Sequence, residues 1–181
     1  MRHNWLFLLA VMLVPFTKIV LGGQVSPYSG QERREIKALS KEEVDGYISG
    51  DGMGFAKAGE LNHYPGPKHV LDLAKQLNLS DVQRTTTQSI FDRMKSNAVS
   101  LGKQLVEREQ LLDSRFADGS ISNVELERLL TEISTLQGKI RAVHLEAHLA
   151  EKHLLTPDQI GRYDTLRGYQ QPSDHDQHTR H

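Results

Sequence analysis

Residues 122–154 read SNVELERLLTEISTLQGKIRAVHLEAHLAEKHL, and the placing of their apolar side chains decides the fold class. Leu126, Leu129, Ile133, Leu136, Ile140, Val143, Ala147, Ala150 and Leu154 recur at alternating steps of three and four. That rhythm keeps one stripe of a helix facing a partner helix, as in a coiled-coil seam. Upstream, Asp118-Gly119-Ser120 has turn chemistry. Before it comes a second periodic stretch from Asp81 to about Phe116, with Phe91, Met94, Ala98, Leu101, Leu105 and Leu112 on its stripe. Arg108 interrupts that stripe and Gly102 weakens it. At 1.5 Å per residue the stretch spans about 50 Å. Two long helices joined by a tight turn read as an antiparallel hairpin, so the expected fold class is all-α. Ile90, Leu111, Leu130 and Leu145 fall off the main seams, which favours pairing of two hairpins in a homodimer.

The helix starts are marked by caps. Ser40-Lys41-Glu42-Glu43, Ser80-Asp81-Val82-Gln83, Ser122-Asn123-Val124-Glu125 and Thr156-Pro157-Asp158-Gln159 are predicted capping boxes, in which a hydroxyl and a third-position side chain each satisfy a backbone N–H. The first predicts a short helix that fails at Gly50-Asp51-Gly52. Further short helices are expected over Met53–Asn62 and Pro67–Asn78, either side of the Tyr64-Pro65-Gly66-Pro67 turn, and a last one from Pro157 to about Arg167. Leu79 and Leu155 precede the second and fourth caps and are expected to pack inward, near each other at the open end of the hairpin.

The chain begins with basic Met1-Arg2-His3-Asn4, an apolar run from Trp5 to Phe16, and small residues near Leu21-Gly22-Gly23. This reads as a cleaved signal peptide over residues 1–23; the rival reading is an uncleaved N-terminal anchor, and both export the remainder of the chain. Residues 24–35 read as a flexible leader, 36–169 as the helical domain, and 170–181, with His175, His178 and His181, as a disordered tail. There is no cysteine, so disulfides, thiolate ligands and a Cys nucleophile are excluded. A net charge of −1 gives no general pull toward nucleic acid, and contact with a membrane is expected only through the N-terminal segment.

No nucleophile–base–acid set is visible, no Ser sits in a Gly-x-Ser-x-Gly setting, and Gly50-Asp51-Gly52-Met53-Gly54 lacks the Lys-Ser/Thr of a phosphate loop, so no enzyme activity is expected. Metal is the chemical candidate. His144 and His148 lie four apart on the second long helix, Glu151 follows by one turn, and His153 lies near the helix end. His63 and His69 flank the Pro-Gly-Pro turn. Neutral imidazole suits zinc, nickel, cobalt or copper, although no cofactor is required. In the seam register, His144 and Glu151 sit beside the apolar stripe and His148 further round, as flankers with access to water. The bland alternative is an exposed helix surface that carries histidines without binding anything.

The two copies Leu79-Ser80-Asp81-Val82-Gln83 and Leu155-Thr156-Pro157-Asp158-Gln159 resemble the paired Leu-Thr-x-x-Gln motifs of the Spy/CpxP-like exported proteins, with Ser for Thr in the first copy. The stretches Gly52–Asn62 and Tyr64–Leu71 are similar to a subgroup labelled periplasmic heavy-metal sensors. The resemblance implies a periplasmic, all-helical protein whose hairpins interlock as a curved homodimer. It implies one of three roles: sheltering unfolded clients without ATP, modulating an envelope sensor or regulatory protein, or binding a transition metal to control efflux. The expected function is a non-enzymatic stress-response protein that binds unfolded or partner proteins. The alternative is a dedicated heavy-metal sensor or metal-binding resistance protein. Metal-sensing relatives carry His-x-x-x-His near their N-terminal end, whereas here it falls in the second long helix.

Overall fold

The computed structural model of this chain describes residues 25–169; the expected signal segment and His-containing tail lie outside the described residues. Six α-helices and no strand occur among the described residues: α1 (Lys41–Ser49), α2 (Lys57–Glu60), α3 (Pro67–Asp72), α4 (Asp81–Ala117), α5 (Asn123–Leu154) and α6 (Pro157–Arg167). The two long helices, about 55 and 48 Å at 1.5 Å per residue, pack together. Their contacts pair late residues of α4 with early residues of α5, and the reverse. Arg115 meets Glu125 at 3.1 Å, Arg108 meets Glu132 at 3.1 Å, and Thr87 donates to Glu151 at 2.8 Å.

Capping chemistry starts most of these helices. Ser40, Ser80 and Thr156 each accept the backbone N–H three residues on, and Glu43, Gln83 and Gln159 reach back to the cap N–H. Ser122 makes only half of its predicted box. The Glu125 carboxylate that would complete it is taken by Arg115 across the turn.

Around the turn-proximal half of the pair, Leu105, Ile133, Leu136 and Ile140 are buried with Tyr47 of α1 and with Ile36 and Leu39 from the segment before it. Leu105 and Leu129 are fully buried, each contributing about 2 kcal/mol of apolar burial. Gly102, expected only to weaken α4, has a structural task here. A Cβ at that position would collide with the carbonyl of Tyr47, so glycine lets α1 lie directly on α4.

Two predicted short helices are shorter than the sequence suggests. Met53 and Gly54 adopt positive φ of 42° and 81°, which holds residues 53–56 in turns and leaves only Lys57–Glu60 helical. The helix begun by Pro67 ends at Asp72, and the chain runs through turns to Asn78 at φ 51°. Ile90, read as lying off the seam, is buried. The segment between α1 and α4 covers one flank of the long pair at the end away from the α4–α5 turn, and that cover forms the site.

Candidate functional site

Leu79 and Leu155 are both buried, in one cluster with Val70, Leu77 and Tyr163. Above them the two motif glutamines face each other. Gln83 Nε2 donates to Gln159 Oε1 at 2.8 Å, and Gln159 Nε2 donates to Gln83 Oε1 at 3.1 Å. Each oxygen also accepts its own cap N–H, from Ser80 at 3.1 Å and Thr156 at 3.0 Å. Each nitrogen donates once more, Gln83 to Leu154 O at 3.1 Å and Gln159 to Leu77 O at 3.3 Å. An amide offers two donors and two acceptor lone pairs, so both side chains are fully satisfied. The repeated wording of the sequence is therefore one joint made from two halves, tying the starts of α4 and α6 to the end of α5.

Beside this joint lies a buried polar face of α5. His144 is 3% exposed, His148 8% and Glu151 0%, so the reading of them as water-accessible flankers is corrected. Seam periodicity treats α4 as the only partner of α5, but the α2–α3 segment and the turns before it cover the flank. The Phe55 ring stacks on His144, with centroids 6.2 Å apart. Gly59 and Gly66 are pressed against His148, and a Cβ on Gly66 would come within 3.0 Å of its ring.

The six candidate ligands do not gather in one place. His69, His144 and His148 line one cavity of about 200 Å³, together with Asp51, Lys95, Phe91 and Met94. His148 Nδ1 lies 2.7 Å from the Tyr64 carbonyl, which can only accept, so Nδ1 carries the hydrogen and Nε2 holds the lone pair of the neutral ring. His144 Nε2 is buried with no partner. Burial holds His144 below the usual imidazole range, with His148 and Lys95 adding to the effect. Burial and then Arg167 do the same for His69. Glu151 turns away from the cavity toward α4, where Thr87 Oγ1 donates to it at 2.8 Å. Burial raises its carboxyl to about 7, against the smaller opposing effect of the Thr87 bond.

His63 sits elsewhere, at φ 65°, with Nδ1 2.8 Å from buried Asp164. His153 is exposed. Among the described residues, no group of three or more His, Asp or Glu side chains has the arrangement of a metal centre.

Sequence reasoning missed a second polar cluster behind His148. Glu60 Oε1 accepts from Tyr163 Oη at 2.6 Å and Tyr169 Oη at 2.9 Å, with Arg167 Nε at 3.4 Å. Glu60 Oε2 lies 3.6 Å from His148 Nδ1. The Tyr163 hydroxyl, which also accepts from Gly66 N at 3.3 Å, is pushed well above the usual phenol range by burial and then by Glu60. Two tyrosines six apart near the chain end were the available signal, but nothing in the spacing linked them to a glutamate a hundred residues earlier.

The architecture thus defines an all-α protein built on a pair of long helices, with a clasp and a covered histidine face at one end. Comparison with family models, curated proteins and solved structures finds no match for this chain.

Proposed function

We propose that this chain is an exported, non-enzymatic envelope protein of the Spy/CpxP-like kind, which binds exposed segments of unfolded or partner proteins. The observation that carries the reading is the Gln83–Gln159 joint, because it gives the two Leu-(Ser/Thr)-x-x-Gln copies a shared purpose. On this reading the long pair is an antiparallel hairpin, and two chains interlock through its outer faces as a homodimer. Apolar side chains on those faces support it: Val82, Phe116, Val124, Leu130 and Leu149 are exposed, set among charged neighbours. Scattered apolar contacts of this sort suit loose, low-specificity capture of extended chain.

The test is aggregation of an unfolding client protein with and without the chain. Near-stoichiometric amounts should slow light scattering, and no effect over a wide concentration range overturns the reading.

The second reading is a metal sensor or buffer. It is favoured by three imidazoles and the Met94 thioether on one cavity, with His148 already oriented by the Tyr64 carbonyl. Such an outer hydrogen bond is a common way to fix a ligating imidazole. Micromolar or tighter binding of zinc, nickel, cobalt or copper, lost in His144→Ala and His148→Ala, is the result this reading requires.

A further inference from the structure

Glu151 is fully buried where α4 and α5 meet, and one of its two carboxyl oxygens has no partner. The other accepts the Thr87 hydroxyl across the interface. Thr87 follows Gln83 by one turn, and Leu154 and Leu155 follow Glu151 by one turn, so the pair sits directly beneath the glutamine joint. We infer that Glu151 is a proton-operated latch between the long helices: neutral, it stays buried against Thr87 and keeps this end closed, and ionised, its unsolvated charge parts α4 from α5 there.

Among the described residues the Thr87 hydroxyl is the one group that favours the ionised form, and burial outweighs it. From α4 come uncharged Thr87 and buried, apolar Ile90. On α5 the titratable groups toward this face are His144 and His148, both buried, and His148 directs Nδ1 to the Tyr64 carbonyl. Glu60 of α2 approaches that same nitrogen and is otherwise engaged with Tyr163, Tyr169 and Arg167. His69 of α3 pairs loosely with Asp72, Asp164 of α6 pairs with His63, and Asp51 pairs with Lys95 over His144. A carboxylate formed at Glu151 thus has the Thr87 hydroxyl on one oxygen and no partner for the other, with no cation among the described residues paired to it, and an unpaired buried charge is strongly destabilising.

The sign follows from linkage. The folded carboxyl titrates near 7, above its ordinary 4.5, so the closed end is fully stabilised below the ordinary value and loses that stability as pH rises through about 7. Parting the helices there would bare Leu79 and Leu155, buried beneath the joint. The latch thereby deepens the proposed function, on which it rests, by making apolar surface available as protons leave.

The experiment uses the full chain. Amide hydrogen exchange, corrected for intrinsic pH dependence, is followed from pH 5 to 8 at residues 83–90 and 148–155, beside a carbon-13 titration of the Glu151 carboxyl. The wild type should open on the order of 50-fold more at the higher pH, and the carboxyl should titrate near 7. Glu151→Gln should remove that pH-dependent component while keeping the helix content, with Glu109 and Asp164, the other buried carboxyls among the described residues, common to both chains. A carboxyl titrating close to 4.5, or a Glu151→Gln chain with the wild-type pH response, overturns the proposal. Should that variant fail to fold, the wild-type titration alone decides. If the carboxyl titrates near 7 but no client is bound at any pH, the latch stands and only the reading of what the pair binds falls.

Discussion

The two ends of the long helix pair are held by different physics. Toward the α4–α5 turn, Leu105, Ile133, Leu136 and Ile140 meet Tyr47, Leu39 and Ile36 in a mostly apolar core. Toward the opposite end, buried Thr87, His144, His148, Glu151, Gln159 and Asp164 share the interior with the apolar cluster of Val70, Leu77, Leu79, Leu155 and Tyr163. Apolar packing is insensitive to pH and tolerant of imperfect direction, whereas buried polar groups are stable only while each partner and proton is in place. The first end makes the molecule stable; the second makes it responsive.

The largest effects are expected at the apolar, turn-proximal end. Leu105→Ala should cost about 3 kcal/mol, since it removes a fully buried side chain from a packed core. Gly102→Ala should cost about 2–3 kcal/mol, as α1 must lift off α4 to admit the methyl group. Both are read from denaturant midpoints, and a loss under about 1 kcal/mol in either would show a core looser than its burial implies. At the joint, Gln83→Ala and Gln159→Ala should each cost about 2 kcal/mol. The double variant should fall short of their sum by about 1 kcal/mol; strict additivity would deny the amide pair.

A finer contrast comes from acid. His144 is held below its ordinary imidazole value by burial, so the native state binds fewer protons there than the unfolded chain. Stability from that group is complete above the ordinary value and is lost as pH falls through the folded one. His144→Leu should therefore flatten the acid limb of the stability profile, the opposite limb from the one Glu151 governs. The smallest effect belongs to the half-exposed Arg108–Glu132 pair. Its double-mutant coupling should be under about 1 kcal/mol and should shrink in high salt.

Helix starts and the long pair were legible because caps and three-four spacing are local signals, and Ser80, Thr156, Leu129 and Ile133 behave as their neighbours dictate. The meeting of Gln83 with Gln159 was legible as proximity, though not as a paired amide. The cover over α5 was hidden. Periodicity ranks His144, His148 and Glu151 as polar and so assigns them to water, while the segment that buries them turns at Met53, His63 and Asn78, residues that do not advertise positive φ. Asp164 and Glu60 became visible only once distant segments were placed side by side.

The glutamine joint has a mechanical corollary. Each side-chain oxygen receives its own helix's cap N–H independently of the facing amide. Pulling the two glutamines apart would therefore leave both capping boxes intact, so loss of the joint does not by itself start the unravelling of α4 or α6.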